Sequence, residues 1–138
     1  SSNTVESDKE RVVDAKQAVQ ESKLFSARQK KILDADYKNA KAQYETNMKA
    51  LKANGNLTPE QYESKKNEIN SEYNAYKAHY TNQKKMLNAS VQQTRHAASD
   101  GVITPEERAS IKNNQEQAVV KYKQDKRQNN NNKQQAKP

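Results

Sequence analysis

The chain has 138 residues, 31% of them hydrophobic, no cysteine and a net charge of +8. This length sets one domain as the default, and the missing cysteines exclude disulfides, thiol catalysis and thiolate metal sites. No apolar run approaches the roughly 18 residues that a transmembrane helix needs, so none is expected.

Leu, Ile, Val and Phe number 18, about 13% of the chain. A fraction below roughly 20% commonly reads as disorder. Two features point instead to long, thin helices, each burying one narrow stripe. Proline (three) and glycine (two) are scarce, both glycines and two of the prolines mark turns, and the few apolar residues recur at helical spacing. Residues 112–138 carry seven Lys/Arg against two acids, and residues 1–111 carry eighteen against fifteen, so +5 of the net charge sits at the C-terminal end. The chain opens on Ser1, which fits a processed or excised polypeptide; export is slightly favoured over a cytoplasmic site, and no leader is visible.

In chain order, residues 1–3 read as a frayed end, and Val5, Val12 and Val19 repeat every seven residues with Ala15 between. Around Leu24, Phe25 and Ser26 the register falters, and Ser26 with Gln29 can form a capping box, so a first helix over 4–53 is either continuous or split near 25. Leu33, Tyr37, Ala40, Tyr44, Met48 and Leu51 then form a clean stripe. Asn54-Gly55 is a stop signal in which Gly55 can take the left-handed conformation. Thr58-Pro59-Glu60-Gln61 starts the next helix: Thr58 caps, Pro59 needs no amide hydrogen at the first position, and Gln61 closes the box. That helix, expected over 59–98, carries two interleaved heptad series: Tyr62, Ile69, Tyr76 and Gln83, then Lys66, Tyr73, Tyr80 and Leu87. Asp100-Gly101 repeats the stop and Thr104-Pro105-Glu106-Glu107 the start of a third helix over 105–126, with Ile111, Ala118, Val119 and Tyr122 inward. Residues 127–138 have no apolar period and read as a disordered, basic, Asn/Gln-rich tail.

The two turns match at an offset of 46 residues, Asn54–Gln61 on Asp100–Glu107. Ser64, Asn67, Tyr76 and Lys77 continue the match onto Ser110, Asn113, Tyr122 and Lys123. Helix starts look alike for capping reasons alone; a duplicated helix–turn–helix unit is the other reading. The first turn resembles the SHOCT module, a short helical hairpin found at the ends of bacterial proteins, through Leu51, Gly55, Leu57, Thr58, Glu60, Gln61, Tyr62, Lys65, Lys66 and Ile69. The second copy keeps Gly101, Ile103, Thr104, Glu106 and Glu107 but has Arg108 where the module has an aromatic. Leu57–Gln61 is also similar to the L-T-x-x-Q pattern of Spy/CpxP-type periplasmic chaperones. The first resemblance implies an interaction or oligomerisation hairpin, the second an exported holdase, and neither implies a catalytic residue.

Asp100-Gly101 through Glu107 copies the second half of a calcium loop, but His96 and Ala98 occupy its first ligand positions and supply no carboxylate. His79 and His96 lie 17 apart, on nearly opposite sides of a helix, and read as solvated or stripe-edge residues rather than zinc ligands. With two glycines there is no phosphate loop, and no nucleophile signature stands out, so neither a cofactor nor an enzyme is expected. Tyr37, Tyr44, Tyr62, Tyr73, Tyr76, Tyr80 and Tyr122 fall mostly on the helical stripes. They read as seam packing with hydroxyls reaching the solvent edge. Tyr62, Tyr73, Tyr76 and Tyr80 are also candidate contacts for a protein partner. Base stacking is disfavoured, because Glu63, Glu68 and Glu72 stand beside them. Lys121, Lys123, Lys126 and Arg127, with Lys133 and Lys137, are candidates for a nucleic acid or other polyanion.

The expected architecture is all-α: an elongated antiparallel three-helix bundle or coiled coil. Length-matching leaves one end two-stranded, and its exposed stripe there could recruit a second copy, giving a homodimer. The expected function is a non-enzymatic helical protein–protein interaction module of bacterial type. Its rivals are an ATP-independent holdase and a polyanion binder.

Overall fold

The computed structural model describes residues 2–136, with side chains from 14 to 129. The fold is all-α: α1 (Ser2–Ala53), α2 (Pro59–Ala97) and α3 (Pro105–Ala136), with no strand among the described residues. The side chains of Val5 and Val12 lie outside the described part.

Both helix starts form as reciprocal capping boxes. The Thr58 amide donates to Gln61 Oε1 (2.9 Å) and the Gln61 amide donates back to Thr58 Oγ1 (3.1 Å). Thr104 and Glu107 repeat this at 3.0 and 3.1 Å. Each box satisfies amides that an isolated helix leaves bare. Ahead of each box an Asx turn closes, from the Asn56 amide to Asn54 Oδ1 and from the Val102 amide to Asp100 Oδ1, both 3.0 Å. Pro59 and Pro105 take the first helical position.

The turns differ at their glycines. Gly101 has φ 80° and its amide donates to Ala98 O at 2.9 Å, a left-handed helix end. Gly55 does not have positive φ, contrary to the expectation from Asn54-Gly55, and a Cβ built on it meets nothing within 4 Å. The reason is where each helix stops: α1 ends at Ala53 and closes with a bond from the Asn54 amide to Leu51 O (3.3 Å), so no left-handed residue is needed.

α1 is unbroken through 24–26, so the Ser26–Gln29 capping box does not form. The stripe does not falter; it changes chemistry. Ala15, Ser22, Ser26, Leu33, Ala40 and Leu51 are all buried, and Ser22 and Ser26 hold stripe positions between Ala15 and Leu33. Leu24, which suggested a break, points outward at 55% exposure. α3 also departs from expectation: it continues past Lys126 to Ala136. No proline or glycine interrupts residues 127–136, and Arg127, Gln128, Lys133, Gln134, Gln135 and Ala136, which have good helix propensity, flank the four weaker asparagines at 129–132.

The chain divides into two compact units, Ser1–Lys31 with Gln83–Lys121, and Ile32–Asn82 with Tyr122–Pro138. Each draws on all three helices. In the first unit, Ser22 meets Thr94 and Lys30 meets Asn88, so α1 and α2 run antiparallel. Thr94 Oγ1 donates to Ser22 Oγ (3.0 Å), with Ser90 O also at 3.0 Å. One step along the same register, Ser26 falls opposite Ser90, and both hydroxyls are buried without a partner. The unit's apolar cluster is small: Ala15, Ile103 and Ile111, with Ala18, Ala97 and Ala98 against it. Asp14 and Arg108 pair at its surface (2.9 Å), where such a bridge contributes little.

The glycine contrast gives opposite outcomes for one substitution. Gly55→Ala should raise stability by about 0.4–1 kcal/mol by restricting the unfolded chain. Gly101→Ala should lower it by about 1–2 kcal/mol, because alanine resists the left-handed region. Urea denaturation of both variants checks this.

Candidate functional site

The second unit holds all seven tyrosines, and its core is built on heptad positions of α1 and α2. Leu33, Ala40 and Leu51 of α1 are buried. Tyr62, Lys66, Ile69, Tyr73, Tyr76 and Tyr80 of α2 are half-buried, as are Tyr37 and Tyr44 of α1. Of the residues singled out in the sequence, Tyr73 and Tyr80 are drawn into one cluster. Tyr44 stacks on Tyr73 (4.6 Å between centroids, 22° between planes), and Tyr37 lies 4.6 Å from Tyr80. The Tyr37 and Tyr73 hydroxyls bond at 3.2 Å, and Lys77 stands 5.1 Å over the Tyr73 ring. Tyr62 lies eleven residues before Tyr73, roughly 16 Å along the helix, and is not part of this cluster.

Two of the hydroxyls are taken by carboxylates of α1, one at the solvent edge and one farther in. Tyr80 OH donates to Asp34 Oδ1 at 2.6 Å. Tyr122 OH donates to Asp36 Oδ2, and Lys126 Nζ stands 3.7 Å from the other oxygen of the same carboxylate. His79 is buried rather than solvated or at the stripe edge, at 7% exposure. Its Nδ1 lies 3.2 Å from Asp125 Oδ2 and its ring 5.5 Å from that of Tyr122. Thus α1 contributes Asp34 and Asp36, α2 His79 and Tyr80, and α3 Tyr122, Asp125 and Lys126. The sequence did not single out the three aspartates, and His79 was expected solvated or at the stripe edge. A period-matching signal existed: His79 lies three residues after Tyr76 and four before Gln83, on their stripe.

Burial, then the bond to Asp36 and its negative charge, push the Tyr122 hydroxyl well above the ordinary tyrosine range. Burial first, then Asp36 and Glu72, raises Tyr76. The bond from Tyr37 chiefly raises Tyr73. Each shift keeps its phenol protonated. That suits a hydrogen-bond donor and opposes use as a nucleophile or base, which needs a lowered value. Among the described residues no group of three or more His, Asp or Glu is placed to hold a metal ion.

Two grooves flank this cluster. A shallow one is lined by Ala40, Gln43, Tyr44 and Asn47 of α1 and by Ile69, Glu72, Tyr73 and Tyr76 of α2. A larger one, about 490 Å³, follows α2 through Ser64, Asn67, Glu68, Ser71, Glu72, Ala75 and Tyr76, with Asn129 of α3 as its far wall. Asn129 Nδ2 is buried there without a hydrogen-bond partner. Of the basic candidates, Lys123 and Arg127 are exposed on α3, and Lys126 is held by Asp36. Lys121, in the first unit, is exposed. No helix among the described residues is long and apolar enough to cross a membrane. No protein-family model, curated protein or solved structure matches the chain.

The raised phenols set an alkaline limit. Above pH about 10 an unfolded tyrosine releases its proton while the folded Tyr122 keeps it. The folded state then binds more protons, so stability is complete below that pH and falls as pH rises through it. Tyr122→Phe should flatten the fall; the difference between wild type and variant in urea melts at pH 8 to about 11 measures it.

Proposed function

We propose that this chain is a non-enzymatic helical interaction module, and that the α2 groove from Ser64 to Tyr76 receives a helix of a protein partner. The groove carries the reading. Its floor is set by Ser64, Asn67, Ser71 and Ala75, spaced three, four and four apart along α2. Small side chains at that spacing form one helix face and let a second backbone come close. Glu68 and Glu72 rim it, and the Tyr76 ring offers apolar area beside a polar edge. The fitting partner is an amphipathic helix with a small-residue or apolar face and flanking Lys or Arg.

The tyrosines serve this reading indirectly. Tyr73 and Tyr80 are spent on packing and bonding between α1 and α2, which stiffens the helix that presents the groove. Lys123 and Arg127 of α3 are exposed and do not line it.

The reading is tested with a photoreactive phenylalanine at exposed Asn67, irradiated in the native cell. Discrete protein adducts are expected, and Glu68→Lys or Ser71→Trp should cut them by at least about tenfold, roughly 1.4 kcal/mol, with helicity unchanged. Equal labelling from Lys41 on α1 would overturn the groove. A smear of many clients would favour a holdase, and adducts with nucleic acid would favour a polyanion binder acting through Lys123 and Arg127.

A further inference from the structure

We infer that Asn54 is a self-modifying site, converted to isoaspartate by attack of the Gly55 amide nitrogen on its side-chain carbonyl carbon. The reaction needs only water. The Gly55 nitrogen gives up its proton to solvent and bonds to Asn54 Cγ. The bond from Cγ to Nδ2 breaks, and ammonia leaves with a proton from solvent. Water then opens the cyclic imide. Cleavage at Cγ gives aspartate; cleavage at the backbone carbonyl gives isoaspartate, with the main chain now running through Cγ.

Three observations at this turn favour ring closure. Asn54 is the only asparagine followed by glycine, and both residues are exposed outside the helices. Asn54 Oδ1 accepts the Asn56 amide at 3.0 Å, which polarises the carbonyl under attack and closes a ring containing the Gly55 nitrogen. Among the described backbone bonds of the turns, none is donated by the Gly55 amide. The matching turn is a built-in comparison. Asp100 has the same Asx bond, yet the Gly101 nitrogen is held by Ala98 O at 2.9 Å, and a carboxylate is a poorer electrophile than an amide. The other asparagines with described side chains, Asn56 apart, lie inside helices, where amides are committed to the ladder.

The product changes the hairpin. It adds one methylene to the main-chain path between α1 and α2, and it places a carboxylate beside the C-terminus of α1, where the helix dipole disfavours negative charge. The conversion rests on the turn alone and is independent of what the α2 groove binds.

The test incubates the full chain at neutral pH and maps its peptides, with isoaspartyl methyltransferase labelling as a second readout. Residues 53–65 should acquire isoaspartate at least about tenfold faster than any other asparagine-containing peptide. Gly55→Ala should slow this at least about tenfold. A Cβ there fits without contact, so the variant keeps its fold. An intact Asn54 after other asparagines have reacted would overturn the inference, as would a Gly55→Ala chain that reacts as fast as wild type.

Discussion

The bond from a tyrosine hydroxyl to an aspartate on a neighbouring helix is the interaction on which the second unit depends. It answers a shortage. A chain with 31% hydrophobic residues cannot close every helix seam with aliphatic side chains alone. Tyrosine supplies a large apolar ring, but a hydroxyl comes with it, and a buried hydroxyl without a partner costs about 1–3 kcal/mol. Asp36 on α1 resolves this by accepting from the half-buried Tyr122 of α3, and at the solvent edge Asp34 accepts from Tyr80 of α2. Lys126 then offsets the charge of Asp36. The first unit meets the same shortage with smaller groups, Ser22 against Thr94, which bond directly. The orphan hydroxyls of Ser26 and Ser90 show that the solution there is incomplete.

These polar seams narrow what the surface can do. Among the described residues, large exposed hydrophobics are few: Leu24 and Val120 sit on different helices of the first unit, and Ile32 belongs to the second. Single exposed apolar residues of this kind are ordinary. The α2 groove is different in kind, because small residues recur along it at helical spacing beside two carboxylates.

Much of the fold could be read from residues whose role is local. Thr58, Pro59 and Gln61, and Thr104, Pro105 and Glu107, start helices through bonds spanning three residues, so the sequence alone shows them. Other features depend on distant partners. Leu24, Phe25 and Ser26 look like a break until Ser90 stands opposite Ser26, as Thr94 does opposite Ser22. Gly55 and Gly101 share a motif but not a conformation, because the residue at which each preceding helix stops decides whether left-handed backbone is required. The tyrosine stripes were legible as periodicity. Their acceptors were not, since Asp36 and Tyr122 are 86 residues apart and nothing local links them.

A double-mutant cycle between Asp36→Ala and Tyr122→Phe measures that link most directly. The pair is half-buried, and hydrogen bonds to charged groups contribute about 1.5–3 kcal/mol. A coupling energy of about 1–2 kcal/mol in chemical denaturation is the predicted result. Additive losses, with coupling below about 0.3 kcal/mol, would mean that the tyrosine rings pack without help from the carboxylates and would contradict this account of the second unit.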